Sequence, residues 1–402
     1  MSAVLWSARV YLLLSNGILW IASRLLFWRM GREPASRILA VRTGGIGDLV
    51  VCLPALAFEL RKSSTARIWM FTSSRGRLKG RLEVSGSELI AGTRYCERVI
   101  PFSPHQLGMW QDLKAVRGLL KSYAPDRVVF ISGTVGGMGA ALKKMVILAL
   151  LGVRVRPEGW HIRATLSLAG KQQFDHSLLR HQVVGALLSV GGPVDGTPLS
   201  HPLDLPEYPD AVARTNEVLR DAGVPAARPY FLLGISAKRE HKCWPIESFA
   251  EVAEAVASEF GWYPVAIGGH DDAALGEAFV QSLRCPAASL CGKLRLKETV
   301  EAARRAVLYV GNDSGPAHLA AGAGIPVVTI FSGIHYPGIW EPWTTRGEVV
   351  RRSVPCAPCM SETSCPNGSM RCMREISVSS VLDSIRNVTF SGDQPVQIGY
   401  RE

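Results

Sequence analysis

The chain has 402 residues, 47% of them hydrophobic and 20% charged, which excludes a disordered polymer and a disulfide-stapled miniprotein and suffices for about two globular domains. Forty-five Lys and Arg against 34 Asp and Glu leave a net charge of +11. That excess points to an acidic partner: nucleic acid, an anionic membrane or a phosphorylated substrate. The basic stripe with interleaved aromatic residues that nucleic acid would need is missing from the sequence, so no nucleic-acid partner is expected.

Residues 1–35 open with "VLWSARVYLLLSNGILWIASRLLFWRMGR", an apolar stretch interrupted by Arg9, Arg24 and Arg29. Only fourteen uncharged residues separate Arg9 from Arg24, fewer than the roughly 20 a spanning helix needs. A signal peptide fits poorly because no small-residue cleavage site follows. The pattern reads as an in-plane helix with Trp6, Trp20 and Trp28 at a membrane interface. The alternative is a helix packed on the protein's own body.

Residues 36–190 form the first expected domain. Apolar runs at 37–42, 67–71 and 127–132 alternate with helix-like segments, a βαβ rhythm that predicts a parallel sheet. After the first run comes "RTGGIGDLV". Gly45 and Gly47 begin a dinucleotide fingerprint, but Val50 stands where its third glycine belongs, and no acid ends the next strand. Asp48 would also repel a pyrophosphate at that helix start. The loop formed by Gly44, Gly45 and Gly47 instead delivers a carboxylate, beside Arg42, with the chemistry to take a proton from an alcohol. By itself Asp48 is equally an N-terminal charge favoured by the helix dipole.

Residues 191–228, rich in proline and turn residues, read as a linker, and residues 229–390 as a second α/β domain with strands at 230–235, 264–267, 308–310 and 327–331. In "ISAKREHKCWP", Lys238, Arg239, His241 and Lys242 follow the first of these strands, placed for phosphate. In "AIGGHDD", Asp271 and Asp272 follow the second, placed for a ribose diol. In "LYVGNDSGPAHLAAGAG", a helix opens near Pro316, and the N–H groups of Ser314 and Gly315, with the Ser314 hydroxyl and His318, outline a diphosphate site. Asp313 reads as an N-cap or as a group orienting backbone or His318.

Nine cysteines are present. Cys52, Cys96, Cys243, Cys285 and Cys291 are scattered and read as small buried hydrophobes. Cys356, Cys359, Cys365 and Cys372 cluster in "CAPCMSETSCPNGSMRC". Only the first pair has paired zinc spacing, so a structural zinc, an iron-sulfur cluster and reduced unliganded thiols all remain open.

The order of "ILAVRTGGIGDLVVCLPAL", "ISAKREHKCWPIESFA", "AIGGHDD" and "LYVGNDSGPAHLAAGAGIPVVTIF" resembles the heptosyltransferases of glycosyltransferase family nine, over about residues 36–335. The resemblance implies a GT-B fold, two Rossmann-like α/β domains facing across a cleft, here with an apolar N-terminal helix added. It also implies inverting, metal-independent transfer of a sugar, commonly heptose from ADP-heptose, to a lipopolysaccharide-core or related glycolipid acceptor. On that basis Asp48 is the general base and Lys242, of "KCWP", neutralises the leaving diphosphate. Lys238, Asp271, Asp272, Asp313, Ser314, Gly315 and His318 bind the donor. No cofactor is expected for catalysis, and the implied place is the cytoplasm, on the cytoplasmic face of the inner membrane. A GT-B protein that binds nucleotide sugars without catalysis, or an epimerase, is the alternative.

Overall fold

A computed structural model describes residues 2–73, 76–78, 81–83, 86–102, 109–131, 138–159, 181–193, 197–361 and 363–390. The chain divides into two compact units, one of Met1–Gly76 and Glu83–Thr197, the other of Arg77–Leu82 and Pro198–Glu402.

The N-terminal unit begins with helix α1 (Ser2–Leu26) and strand β1 (Arg37–Val41), followed by α2 (Ile46–Val50), α3 (Leu53–Lys62) and β2 (Arg67–Ser73). Then come a ribbon of β3 (Gly76–Leu78) and β4 (Arg81–Glu83), β5 (Arg98–Phe102), α4 (Met109–Tyr123), β6 (Arg127–Phe130), α5 (Met138–Leu150), β7 (Pro157–Glu158) and α6 (Gln182–Ser189). Its parallel sheet runs β5-β2-β1-β6-β7. Four of the five β1 residues are buried, as a central parallel strand covered on both faces requires. Leu39, Val41, Phe71, Val128 and Phe130 pack with Leu120, Met145 and Leu148.

The C-terminal unit contains α7 (Pro209–Asp221), β8 (Tyr230–Gly234), α8 (Ile246–Phe260), β9 (Tyr263–Ala266), α9 (Ala273–Ser282), β10 (Ala288–Ser289) and α10 (Leu296–Arg305). It continues with β11 (Tyr309–Asn312), α11 (Gly315–Gly322), β12 (Val327–Phe331), β13 (Gly347–Arg351), α12 (Arg371–Arg374) and α13 (Val378–Phe390). The sheet order β10-β9-β8-β11-β12-β13 is parallel throughout. Its strand order reverses between β8 and β11, and in such sheets ligands bind at the carboxyl ends on either side of that point. In the N-terminal unit the reversal falls between β1 and β6.

The stretch expected to be a linker is shorter than 191–228. Helix α7 occupies much of it, with Pro209 in its first turn and Ala211, Thr215, Val218 and Leu219 buried. Four of the five prolines between residues 191 and 210 lie before its start, and Pro209 takes its first position, where the missing N–H costs nothing.

Candidate functional site

In the C-terminal unit the two loops at the switch point are tied together. Asn312, at the end of β11 and fully buried, accepts from the Trp244 backbone N–H at 2.9 Å and donates through its amide to Gly234 O at 3.3 Å. That clamp fixes the "KCWP" loop against the "NDSGP" turn. The Lys242 ammonium consequently meets the Asp313 carboxylate in a close ion pair, with the side chains 12% and 7% exposed. Burial alone would raise Asp313, but Lys242, aided by His318 and His335, holds it below its ordinary value.

The N-cap role expected for Asp313 falls to its neighbour. Ser314, in extended conformation, is the N-cap of α11, and Gly315 is the first helical residue. The N–H groups at the start of α11 therefore open where β11 ends, a geometry suited to an anion. His318, one turn on, is buried, and its ring meets Trp340 edge-on at 6.5 Å. His335 lies 6.4 Å from the same indole.

The loop that carries His335 and Trp340 escaped sequence reading. Glu341 anchors it by accepting from Gly338 N at 2.8 Å and Trp340 N at 3.0 Å, and it pairs with Arg351 at 3.0 Å. Arg351 also donates to His335 O at 2.9 Å. A near-fully buried Glu was the available signal, but burial is not visible in sequence.

Lys238 is exposed in the same basic loop. His241, read as one of four cations, is instead buried, its Nε2 3.1 Å from Ser361 O. After β9, Asp272 is turned onto its own backbone, accepting from Gly269 N at 2.9 Å, while Asp271 is exposed.

In the N-terminal unit, Asp48 lies in the first turn of α2 and pairs with Arg42 at 2.7 Å, while its other oxygen accepts from Gly45 N at 3.0 Å. Gly44 adopts φ +145°, and a Cβ there would collide with the Asp48 carboxylate, so the glycine sets the carboxylate's position. Gly47 sits inside α2. Arg42 is itself buried and donates to Ile131 O at 3.1 Å. Lys144 of α5 faces the same group of charges, and burial together with Arg42 pulls its ammonium down to about 8. It sits in an apolar helical run and was not singled out from the sequence. Burial pushes the Cys52 thiol up to about 11, in keeping with an inert buried cysteine. Cys96 and Cys291 are likewise buried, whereas Cys243 and Cys285 are half-buried.

The clustered cysteines lie beside the loops that follow β8 and β12. Cys359 N and Met360 N donate to Gly333 O and Ile334 O, each at 2.9 Å. Met370 N donates to the Cys365 sulfur at 3.4 Å. Burial first, and then the neighbouring Cys359, Cys356 and Cys365, push the Cys372 thiol up. Among the described residues, however, no three metal-ligating side chains are gathered at coordinating distance.

Two parallel α/β units of this kind define the GT-B fold. The solved structure of Escherichia coli ADP-heptose lps heptosyltransferase II shares it at TM-score 0.64 and 17% identity, covering 88% of this chain and 98% of that one. The iron-containing dodecameric glycosyltransferase TibC of enterotoxigenic E. coli H10407 matches at TM-score 0.53 and 18% identity, covering 90% and 80%. Residues 161–369 match glycosyltransferase family 9 (heptosyltransferase), and the chain belongs to that family. Over 205 residues it is 28% identical to lipopolysaccharide heptosyltransferase 3 of E. coli, covering 50% of this chain and 58% of that relative. The matched stretch thus spans little more than half of the relative's length.

Proposed function

We propose that the protein is an inverting glycosyltransferase that moves a heptose from ADP-heptose to the hydroxyl of a lipopolysaccharide-core or related glycolipid acceptor. The observation that carries this reading is the clamped C-terminal half-site, where Lys242, the start of α11 and His318 surround the end of β11. Such a cradle suits a departing nucleoside diphosphate, because fixed donors meet charge as it develops. Asp313 holds Lys242 in place rather than touching phosphate. Asp271, exposed after β9, is the ribose ligand in this reading, with Lys238 at the phosphates.

Asp48 receives the acceptor proton. As the alcohol oxygen bonds to the anomeric carbon, the bond from that carbon to the diphosphate oxygen breaks, and the proton passes to Asp48 Oδ. Arg42 and the Gly45 N–H hold the carboxylate but leave lone pairs for this proton. The reaction needs both half-sites, and its place is the cytoplasmic face of the inner membrane, where a nucleotide sugar meets a glycolipid.

The cysteine segment has a structural role in this reading. Through His241–Ser361 and Cys359–Gly333 it touches both donor-side loops. A zinc ion or an iron-sulfur cluster held by Cys356, Cys359, Cys365 and Cys372 would brace them. Four soft sulfur ligands and the Met370 N–H directed at Cys365 suit either group. Elemental analysis of untagged protein reads this directly, and four freely alkylated thiols without zinc or iron would reject it.

A panel of nucleotide-diphospho-sugars in thermal-shift assays, followed by transfer to heptose-deficient lipopolysaccharide with the best donor, tests the main reading. ADP-heptose should stabilise the protein most and be consumed with release of ADP. Stabilisation by another donor alone would replace the sugar, and stabilisation by none would overturn the assignment.

A further inference from the structure

Helix α1 is inside out for a helix on a water-soluble surface. The side it packs inward is built of Ser15, Leu19 and Ser23, at 2%, 0% and 1% exposure, with Phe27 just beyond its end. The opposite side carries Leu14, Ile18, Ile21 and Leu25, at 64%, 48%, 53% and 79% exposure. At 100° per residue these four fall within an arc of about 60°, one continuous apolar stripe. Helix α5, against which α1 packs, adds exposed Val146 and Leu150. A surface helix in water places serines out and leucines in, so this arrangement marks a face meant for an apolar medium.

The flanks identify the medium. Residues 1–32 hold four arginines and no acidic residue. The Arg24 guanidinium lies 4.0 Å over the exposed Trp20 ring, and that of Arg154 lies 4.6 Å over Trp28, itself 66% exposed. Indoles capped by guanidinium groups beside an aliphatic stripe match the boundary between lipid headgroups and chains. No helix among the described residues is long and apolar enough to cross a membrane.

We infer that the exposed face of α1, with Trp20, Trp28, Arg24 and Arg29 along its edge, lies flat in the surface of an anionic phospholipid bilayer. The chain is then held at the membrane by an in-plane helix rather than a span. The inference rests on the function proposed above only for which membrane is meant, since the exposed stripe does not depend on glycosyl transfer.

Sedimentation of the full-length protein with vesicles tests it. Wild type should pellet with phosphatidylglycerol-rich vesicles, with a blue shift of tryptophan emission, and remain in solution with phosphatidylcholine vesicles at moderate salt. Ile18→Glu with Ile21→Glu should weaken partition about 100-fold, because two buried aliphatic side chains are lost from the lipid. Arg24→Gln with Arg29→Gln should lower the anionic preference roughly tenfold or more. An unchanged circular-dichroism spectrum and thermal melt in each variant shows that the fold survives. Wild type left in the supernatant, or the double-Glu variant binding like wild type, would overturn the inference. So would a lipid-free dimer that those substitutions dissociate, since a second copy would then be the occupant. Vesicle binding without any sugar transfer would sink the proposed reaction and leave this surface standing.

Discussion

The two units use the same parallel sheet and place an acid just beyond a central strand, yet they partner it differently. In the N-terminal unit Asp48 pairs with Arg42 from the same loop, and neighbouring glycines shape the contact. In the C-terminal unit Asp313 pairs with Lys242 from another strand's loop, and Asn312 and Trp244 must first bring the loops together. A local pair of this kind leaves its acid one-third exposed and able to meet a substrate. A long-range buried pair serves instead to position its lysine.

The largest effect expected from this contrast follows Asp48→Asn. Transfer should fall by roughly 10²–10⁴, the usual contribution of a general base. Initial rates with saturating donor read it, and near-normal turnover would return Asp48 to a purely local structural role.

Lys242→Met should act on the fold as well as on catalysis. It strands the buried Asp313 charge, a loss of about 3–5 kcal/mol. Adding Asp313→Asn should recover most of that, and denaturant melts of the single and double variants would show it. Equal melts for Lys242→Met and wild type would mean that the pair has no positioning role.

A smaller effect concerns pH. Because Asp313 sits below its ordinary value in the folded protein, the unfolded chain protonates it first as pH falls. The pair's contribution is full well above the ordinary carboxylate range and disappears as pH drops through the lowered folded value. Stability measured from pH 7 to pH 3 should show this slope in wild type and lose it in Asp313→Asn.

Gly44→Ala should have a modest effect on stability, about 1–3 kcal/mol for a side chain in a positive-φ region that glycine favours. Its effect on transfer should be larger, because the new Cβ pushes against the Asp48 carboxylate. A transfer rate unchanged by the substitution would show that the carboxylate does not depend on this loop shape.

The sheet was legible where strands are central and buried. Runs such as Tyr230–Gly234 and Val327–Phe331 are buried throughout and almost wholly apolar because helices cover both faces. Short edge strands, among them Pro157–Glu158 and Ala288–Ser289, carry too few residues to show a pattern. The turns that carry "KCWP" and "DSGPAH" were legible because a break between strand and helix shows in local residue types. The Asp313–Lys242 and Glu341–Arg351 pairs were not, since tertiary packing creates them. The burial of His241 and the charged surroundings of Lys144 escaped for the same reason. In α1 the composition suggested membrane contact, but which face points outward depended on the packing of Leu19 and the two serines.

The division of labour between the units is tested most directly by ADP titration calorimetry on wild type, Asp48→Asn and Lys242→Ala. The account predicts wild-type ADP affinity in Asp48→Asn and a loss of about ten- to a hundredfold in Lys242→Ala, as a charge-assisted contact is removed. Unchanged affinity in Lys242→Ala together with weakened binding in Asp48→Asn would contradict it.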